Sequence, residues 1–330
     1  NKFRKNEYAC TQEKTPLYMT IELENRGIVN LLLSKKDIDL NEKFTSKENA
    51  KSAYNIEKAP IHLAVEKENQ EIIEILLSNN KIDINSQFIE NYTSSSNRYF
   101  RAKTALHIAA KKRNSNISKL LVSNDKIDVN NKYIKKYNND QEYAEKTALY
   151  IAIKKNNVEV VKQLLNNPKI DVNIKFISNL EEIAPLYIAV ERKQKEIIEK
   201  LLKSPNIDVN IKSSVFRIEK SDEHKGKLYT FENYMLKNKS EKTALHLAAE
   251  MGDADIIKIL LEDPKIDINI VEYDNKKGEA KKMLEGGIVV FENYFNEQVK
   301  ERTALHCAVE ERKEEAVKTL LQYPQIDINH

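Results

Sequence analysis

The sequence predicts a mainly α-helical solenoid in which stacked helix–turn–helix units are joined by β-hairpin-like fingers. Three observations lead to this prediction: a recurring opening segment, a recurring closing segment, and a constant distance between the two. A constant distance requires a rigid unit, because flexible connections tolerate insertions at little free-energy cost. Internal repetition at this scale is the signature of units that stack on one another.

The openings share a Thr or Ala followed by an apolar run, and they read "KTPLYMTIE", "KAPIHLAVE", "KTALHIAAK", "KTALYIAIK", "IAPLYIAVE", "KTALHLAAE" and "RTALHCAVE". Each closing has the form "IDxN", and it lies 25 residues after the Pro or Ala of its opening in every copy. Closing and next opening are separated by 19, 20, 18, 12, 34 and 35 residues. We therefore predict one array over residues 1–330, with units at 14–41, 58–85, 103–130, 146–173, 183–210, 242–269 and 302–329 and long fingers at 211–241 and 270–301.

Each unit is predicted to hold two short helices. A Thr or Ala followed by Pro suits a first helical turn, where the N–H that proline lacks would have no partner. Small residues such as Ala109 and Ala110 then allow a neighbouring helix to approach closely. The second helix carries one apolar face, as Ile256, Ile257 and Leu260 show. A lone pair of this size buries too little apolar surface, so the units are expected to stack.

Composition narrows the class of protein. Lys and Arg total 54 against 51 acids, and this near balance gives no general argument for binding nucleic acid or membrane. No apolar run approaches the roughly 18 residues expected of a membrane span. Two cysteines at opposite ends of the chain, Cys10 and Cys307, argue against a disulfide framework. We accordingly expect a cytoplasmic protein.

The openings resemble the Thr-Pro-Leu-His-x-Ala signature of the ankyrin repeat family over essentially the whole chain. The spacing departs from the family period of about 33 residues, since successive openings lie 37 to 60 residues apart. The family's usual Gly-Ala before the closing Asp is replaced by pairs such as Lys169-Ile170. The resemblance implies hairpin fingers and a concave groove in which such arrays bind protein partners.

No constellation for catalysis, cofactor or metal is predicted. His62, His107, His246 and His306 share one opening position that is Tyr in the other units, and the resemblance implies structural hydrogen bonds there. His224, beside Asp222 and Glu223, is a weak metal signal that solvated turn residues explain better. Cys307 replaces an aliphatic residue, so we expect it to be buried and unreactive. No phosphate-binding, hydrolase or paired-cysteine motif occurs.

Candidate partner-binding residues follow from the groove positions that the resemblance implies. The middle units are doubly basic at these positions, while the end units carry acids, and Arg192 extends the basic set. We hypothesise that the centre of the groove receives an acidic segment of a protein partner; the alternative is a solvated face in a lysine-rich protein. The basic candidates are Lys103, Lys111, Lys112, Lys146, Lys154, Lys155 and Arg192.

The two long fingers share the motif "FENY", and each has a strand–turn–strand pattern. In the first, "VFRIE" is followed by "LYTFENYML"; in the second, "IVEY" is followed by "GIVVFENYF". The aromatic residues either hold the fingers together or form a second partner-binding patch. The candidates are Phe231, Tyr234, Phe291 and Tyr294.

The favoured function is that of a non-catalytic protein-interaction scaffold or adaptor. Two alternatives remain: the recognition module of a larger enzyme, channel or secreted effector, and a nucleic-acid or anionic-lipid binder. The acidic end units argue against the last. The first unit shows no polar cap of the kind that closes such arrays, so we expect further protein upstream.

Overall fold

The structure is a computed structural model that describes residues 3–7, 10–48, 53–138, 142–219, 235–275, 279–283, 289–293 and 299–329. The chain divides into two compact units, residues 1–171 and 172–330. The described part is built from short helices that follow one another in pairs, with strands between the pairs. None of the described helices combines the length and the apolarity needed to cross a bilayer.

The first unit contains four helix pairs and a sheet of eight strands in sequence order, antiparallel throughout. The helices are α1 Pro16–Glu22, α2 Arg26–Leu33, α3 Pro60–Lys67, α4 Gln70–Leu77, α5 Ala105–Lys112, α6 Ser115–Val122, α7 Ala148–Lys154 and α8 Val158–Leu165. The strands are β1 Phe3–Glu7, β2 Cys10–Lys14, β3 Phe44–Glu48, β4 Ala53–Lys58, β5 Phe88–Thr93, β6 Arg98–Lys103, β7 Lys132–Tyr137 and β8 Glu142–Thr147.

Side-chain caps begin α1, α7 and all four second helices of this unit. The Thr15 hydroxyl accepts a hydrogen bond from the Tyr18 N–H at 3.1 Å, as a Thr at the N-cap should. In each second helix an Asn takes the same role: its Oδ1 accepts from the N–H three residues on, at 3.1 to 3.2 Å. These caps are Asn25, Asn69, Asn114 and Asn157.

The core confirms the apolar pattern that predicted the helix pairs. The first helices stack in the order α1, α3, α5, α7 and the second helices in the order α2, α4, α6, α8. Leu17, Ile61 and Leu106 of the first helices and Ile72 and Ile73 of a second helix are fully buried. Each such side chain contributes on the order of 1.5–3 kcal/mol through burial, and much of that burial is against a neighbouring pair.

The closing motif forms a hydrogen-bond ladder between successive pairs. Asn85 donates from Nδ2 to the Lys126 carbonyl, and its Oδ1 accepts from the Asp128 N–H, both at 2.8 Å. Asn41 and Asn130 repeat this contact with the pair that follows each of them. The invariant Asn of the closing therefore satisfies one backbone donor and one backbone acceptor of the next closing.

The second unit repeats this plan. Its helices are α9 Pro185–Glu191, α10 Lys195–Leu202, α11 Ala244–Met251, α12 Ala254–Leu261, α13 Ala304–Glu310 and α14 Glu314–Leu321. Its strands are β9 Phe176–Ser178, β10 Glu181–Ile183, β11 Ser213–Glu219, β12 Met235–Lys242, β13 Glu272–Asn275, β14 Glu279–Met283, β15 Val289–Asn293 and β16 Val299–Arg302. The Asn ladder continues through Asn173, Asn210 and Asn269.

The last finger differs from the simple hairpin expected of "IVEY" and "GIVVFENYF". The strand β13 pairs with β16, whereas β15 pairs with β14, which lies in the charged stretch interpreted as a turn. Charged residues are depleted in strands but do not exclude one, so composition alone misplaced this turn. The limits of the repeat units and the full extent of the two long fingers stay predictions.

Candidate partner-binding surface

The strands of the first unit present one common face, which we call the inner face of the finger sheet. Residues directly opposite in an antiparallel pair share a face. Phe44 pairs with Lys58, and Phe88 pairs with Lys103. The Lys58 side chain reaches Glu66 in α3 from this face, at 2.7 Å. The inner face therefore looks toward the C-terminal ends of the first helices, and together they form what we call the inner surface.

An ion pair across eight residues recurs on the inner surface. Lys14, at the end of β2, contacts Glu22 in α1 at 2.7 Å, and Lys58 contacts Glu66 in the same way. The second unit uses the same arrangement between Arg302 and Glu310, at 2.6 Å. In these pairs the base of a finger and the end of a helix neutralise each other.

The third and fourth helix pairs replace the acid of this ion pair with lysine. Lys111 stands in α5 where α3 has Glu66, and Lys154 stands at the same place in α7. Lys103 cannot pair with a lysine, and it instead contacts Glu90 of the finger at 3.3 Å and lies 4.3 Å from the Phe88 ring centroid. The lysines of α5 and α7 thus add positive charge to the surface, and no acid at this position neutralises that charge.

The predicted basic residues of the first unit have different surroundings. Lys112 donates to the Glu66 carbonyl and to the Glu68 carboxylate at 2.9 Å. Hydrogen bonds from Asn114 and then Lys112 lower the pKa of Glu68. Lys146 is half-buried, and its carbonyl is the partner of a histidine ring.

Among the predicted basic residues of the first unit, three exposed lysines carry uncompensated charge: Lys111, Lys154 and Lys155. Lys154 lies 5.7 Å from the centroid of the Tyr150 ring. Within the part of the chain that the structure describes, none of the three has a carboxylate within ion-pair distance. The charge of these three lysines is therefore not neutralised by a contacting carboxylate among the described residues.

The remaining predicted residues lie elsewhere. Arg192 follows α9 in the second unit and is exposed. Phe231, Tyr234 and Tyr294 lie outside the described residues. The backbone of Phe291 lies in β15 opposite Lys281, and its side chain is outside the described part of the structure. Their role in partner binding stays a prediction.

Sequence reasoning missed a row of tyrosines on the inner face. Tyr54, Tyr92, Tyr99 and Tyr137 stand opposite one another along β4, β5, β6 and β7. The ring centroids of Tyr92 and Tyr99 are 5.4 Å apart, and those of Tyr99 and Tyr137 are 5.9 Å apart. Arg101 lies 4.8 Å from the Tyr99 centroid. The signal in the sequence is the alternation of Tyr with charged residues in "FIENYT", "RYFRAK" and "KYIKKY". The strand register is needed to show that these tyrosines lie on the same face.

The opening histidines are structural, as predicted. His62 accepts the Ala59 N–H at Nδ1 and bonds the Ser86 carbonyl through Nε2 at 2.8 Å. His107 does the same with Thr104 and Lys146. Burial lowers the pKa of both rings to about 4, which leaves them neutral at pH 7. His224 lies outside the described residues.

Among the described residues, one group has the spacing of metal ligands. Carboxylate and thiol atoms of Glu250, Glu272 and Cys307 lie within 4.8 Å of one another. Lys242 and Arg302 contact the same carboxylates, so positive charge is already supplied from within the chain. Burial raises the pKa of the Cys307 thiol, as expected of an inert cysteine. The group is a buried ion-pair network.

Comparison with known proteins identifies the class. The family model described as "Ankyrin repeats (3 copies)" matches residues 2–88, 43–133, 87–176, 132–213 and 228–330. The chain therefore belongs to the ankyrin repeat family, whose domains generally mediate protein–protein interaction. No curated protein matches the chain significantly.

Two solved structures are similar to the chain. The ankyrin repeat domain of Bcl-3, described as a unique member of the IkappaB protein family, is 16% identical with a TM-score of 0.52, covering 93% of this chain and 98% of that one. The ankyrin repeat protein EF0377 is 16% identical with a TM-score of 0.46, covering 80% and 96%. At this identity, the likeness to Bcl-3 shows a shared fold alone.

Proposed function

We propose that the chain is a non-catalytic scaffold or adaptor that binds an acidic segment of a protein partner on the inner surface of the third and fourth helix pairs. One observation carries the proposal: the ion pair across eight residues seen at Lys14–Glu22 and Lys58–Glu66 is replaced by two lysines in the next two pairs. The family supports a protein as the partner. Two free cysteines fit a reducing compartment, and we place the protein in the cytoplasm on that ground.

Electrostatics makes this surface suitable for an acidic segment. Like charges on adjacent repeats act together when they lie within about a Debye length, ~8 Å at physiological salt. Such a patch speeds association with an oppositely charged partner and selects against basic ones. The interaction should weaken as salt is raised. This dependence separates binding by Lys111, Lys154 and Lys155 from binding by apolar contacts.

The direct test is a triple charge reversal, Lys111→Glu with Lys154→Glu and Lys155→Glu. At positions 111 and 154 the change installs the acid that α1 and α3 carry naturally, so folding should survive. The matched control reverses Lys119 and Lys162, exposed lysines of the second helices α6 and α8 in the same two pairs. The probe is a fluorescein-labelled pool of ten-residue peptides made from Asp, Glu, Gly and Ala.

Wild type should bind this pool with an affinity that falls as salt rises from 50 to 300 mM. The triple variant should lose about 100-fold, which corresponds to ~2.7 kcal/mol. The control variant should lose far less. Equal affinity of wild type and triple variant, or indifference to salt, would contradict the proposal.

The aromatic residues of the long fingers are proposed as a second contact surface for the same partner. The repeated motif at Phe231 to Tyr234 and Phe291 to Tyr294 supports this, since aromatic side chains are common energetic centres of interfaces. Deletion of residues 214–234 should weaken binding of a partner captured from native lysate. Unchanged affinity after the deletion would rule out a role for the first of these fingers.

A further inference from the structure

Two cations oppose each other on the inner face of the finger sheet. Arg101 in β6 stands directly opposite Lys135 in β7, and both side chains are half-buried. Like charges directly opposite in an antiparallel pair destabilise a sheet. The arrangement therefore has a local electrostatic cost, which an anion placed between the two side chains would remove.

Aromatic rings hold the two cations in place. The Arg101 guanidinium lies 4.8 Å from the Tyr99 ring centroid and 5.6 Å from that of Tyr137, and it also donates a hydrogen bond to the Tyr137 hydroxyl. The Lys135 ammonium lies 5.1 Å from the Tyr137 centroid. Cation–π contacts of this kind restrict a side chain without neutralising its charge. Both cations are therefore positioned before any ligand arrives.

The acid nearest in register is already engaged. Glu90 lies in β5, the other neighbour of β6, and stands directly opposite Arg101. Its carboxylate contacts Lys103 at 3.3 Å and accepts a hydrogen bond from the Tyr54 hydroxyl at 3.5 Å. In the described residues, no carboxylate lies within ion-pair distance of Arg101 or Lys135. Because the charge of Glu90 is balanced by Lys103, the charges of Arg101 and Lys135 remain as a surplus of two.

We propose that Arg101 and Lys135 bind a phosphorylated side chain within the acidic segment of a protein partner. This inference rests on the proposed function, because Lys111, Lys154 and Lys155 would contact the acidic residues that flank the phosphate. A phosphoryl group carries a charge of about −1.5 to −2 at neutral pH and offers three acceptor oxygens. It matches the surplus, whereas a single carboxylate leaves one cation uncompensated. The planar guanidinium can bind two phosphate oxygens at once.

The experiment uses the full chain and three degenerate peptide pools. Each pool has Asp, Glu, Gly and Ala at the outer positions, and the central residue is phosphoserine, aspartate or serine. Five proteins are compared by fluorescence anisotropy: wild type, Arg101→Gln with Lys135→Gln, Lys135→Gln alone, Lys136→Gln, and the triple reversal of Lys111, Lys154 and Lys155. Lys136 is adjacent in β7 but points to the opposite face of the sheet, so it is the matched control. Lys135→Gln alone serves if loss of the Arg101 ring contacts impairs folding.

Wild type should bind the phosphoserine pool at least tenfold more tightly than the aspartate pool. Both variants that lack Lys135 should lose most of this preference while keeping their affinity for the aspartate pool within about threefold. Lys136→Gln should keep the preference.

Each other outcome counts against a specific claim. Equal affinity for the phosphoserine and aspartate pools, or a preference that survives removal of both cations, overturns the phosphate site and leaves the acidic groove standing. A phosphoserine preference combined with insensitivity to the triple lysine reversal overturns the proposed function and leaves the site standing. Failure to bind any pool overturns both. Tighter binding of an RNA oligonucleotide or of phosphatidylinositol-phosphate vesicles, lost with Arg101 and Lys135, overturns the choice of a protein occupant.

Discussion

The first two and the next two helix pairs of the first unit share one scaffold and carry opposite charges at one position of the first helix. In α1 and α3 that position is Glu22 or Glu66, and each closes an ion pair with the base of a finger. In α5 and α7 it is Lys111 or Lys154, and the same geometry leaves the charge exposed. One position of the repeat thus either closes an ion pair or carries an exposed charge, depending on the sign of one side chain.

Acid should destabilise both regions alike, because the buried opening histidine is part of the shared scaffold. The rings of His62 and His107 have a pKa of about 4 when folded, against about 6.5 when unfolded. Both rings are neutral above pH 6.5. Below it the unfolded chain gains protons that the folded chain does not, so stability falls from pH 6.5 toward pH 4. At pH 5 the loss is about 2 kcal/mol for each histidine.

Urea unfolding at pH 7 and pH 5 measures this loss. The matched variant is His107→Tyr, since Tyr18 and Tyr150 occupy the same position in α1 and α7. The pH 7 to pH 5 difference should shrink in the variant by the share of one histidine. An undiminished difference would show that the ring is not the group that titrates.

The Asn ladder should contribute equally in both regions. Asn41→Ala between the first and second pairs and Asn130→Ala between the third and fourth each remove two hydrogen bonds to the backbone. We expect a loss of ~1–2 kcal/mol for each variant. Urea titration followed by circular dichroism gives the values. A cost at one site and none at the other would show that the ladder is not a uniform element.

Reversing the charge at position 66 should make the second helix pair behave more like the third and fourth pairs. In Glu66→Lys the side chain of Lys58, only 14% exposed, meets a like charge instead of its partner, so we expect a loss of about 1 kcal/mol. The variant should bind the acidic peptide pool more tightly than wild type does. The control is Glu71→Lys in α4, where the ion pair with Arg26 is exposed on both sides. Weaker binding by Glu66→Lys than by this control would contradict the comparison.

The smallest effect is expected at the opposed cations. Lys135→Gln removes a like-charge pair, so it should raise stability by ~0.2–1 kcal/mol, whereas Lys136→Gln on the other face should not. Guanidinium is unsuitable here because it screens charge, so urea at low salt is the denaturant. A loss of stability in Lys135→Gln would mean that its contact with Tyr137 outweighs the repulsion.

The sequence predicted the helix pairs because their determinants are local. Ile256, Ile257 and Leu260 recur at helical spacing, and all three are fully buried. The structural role of His62 and His107 was also predictable, since Tyr replaces His freely at that position. Lys112 shows the limit: its role in partner binding stays a prediction, but nothing in the sequence indicated its ion pair with Glu68 of the preceding helix pair. The contacts of a side chain that reaches into a neighbouring repeat cannot be predicted from the sequence of its own repeat.

By itself, the sequence determined the class of fold, the rigid unit of 25-residue spacing and the change of charge sign between Glu66 and Lys111. Only the tertiary structure decided which finger residues meet, such as Arg101 with Lys135 and Tyr99 with Tyr137. The physical reason is strand register. Helical contacts repeat every three to four residues along the chain, whereas cross-strand neighbours depend on turns of variable length, and a slip of one residue moves every side chain to the other face.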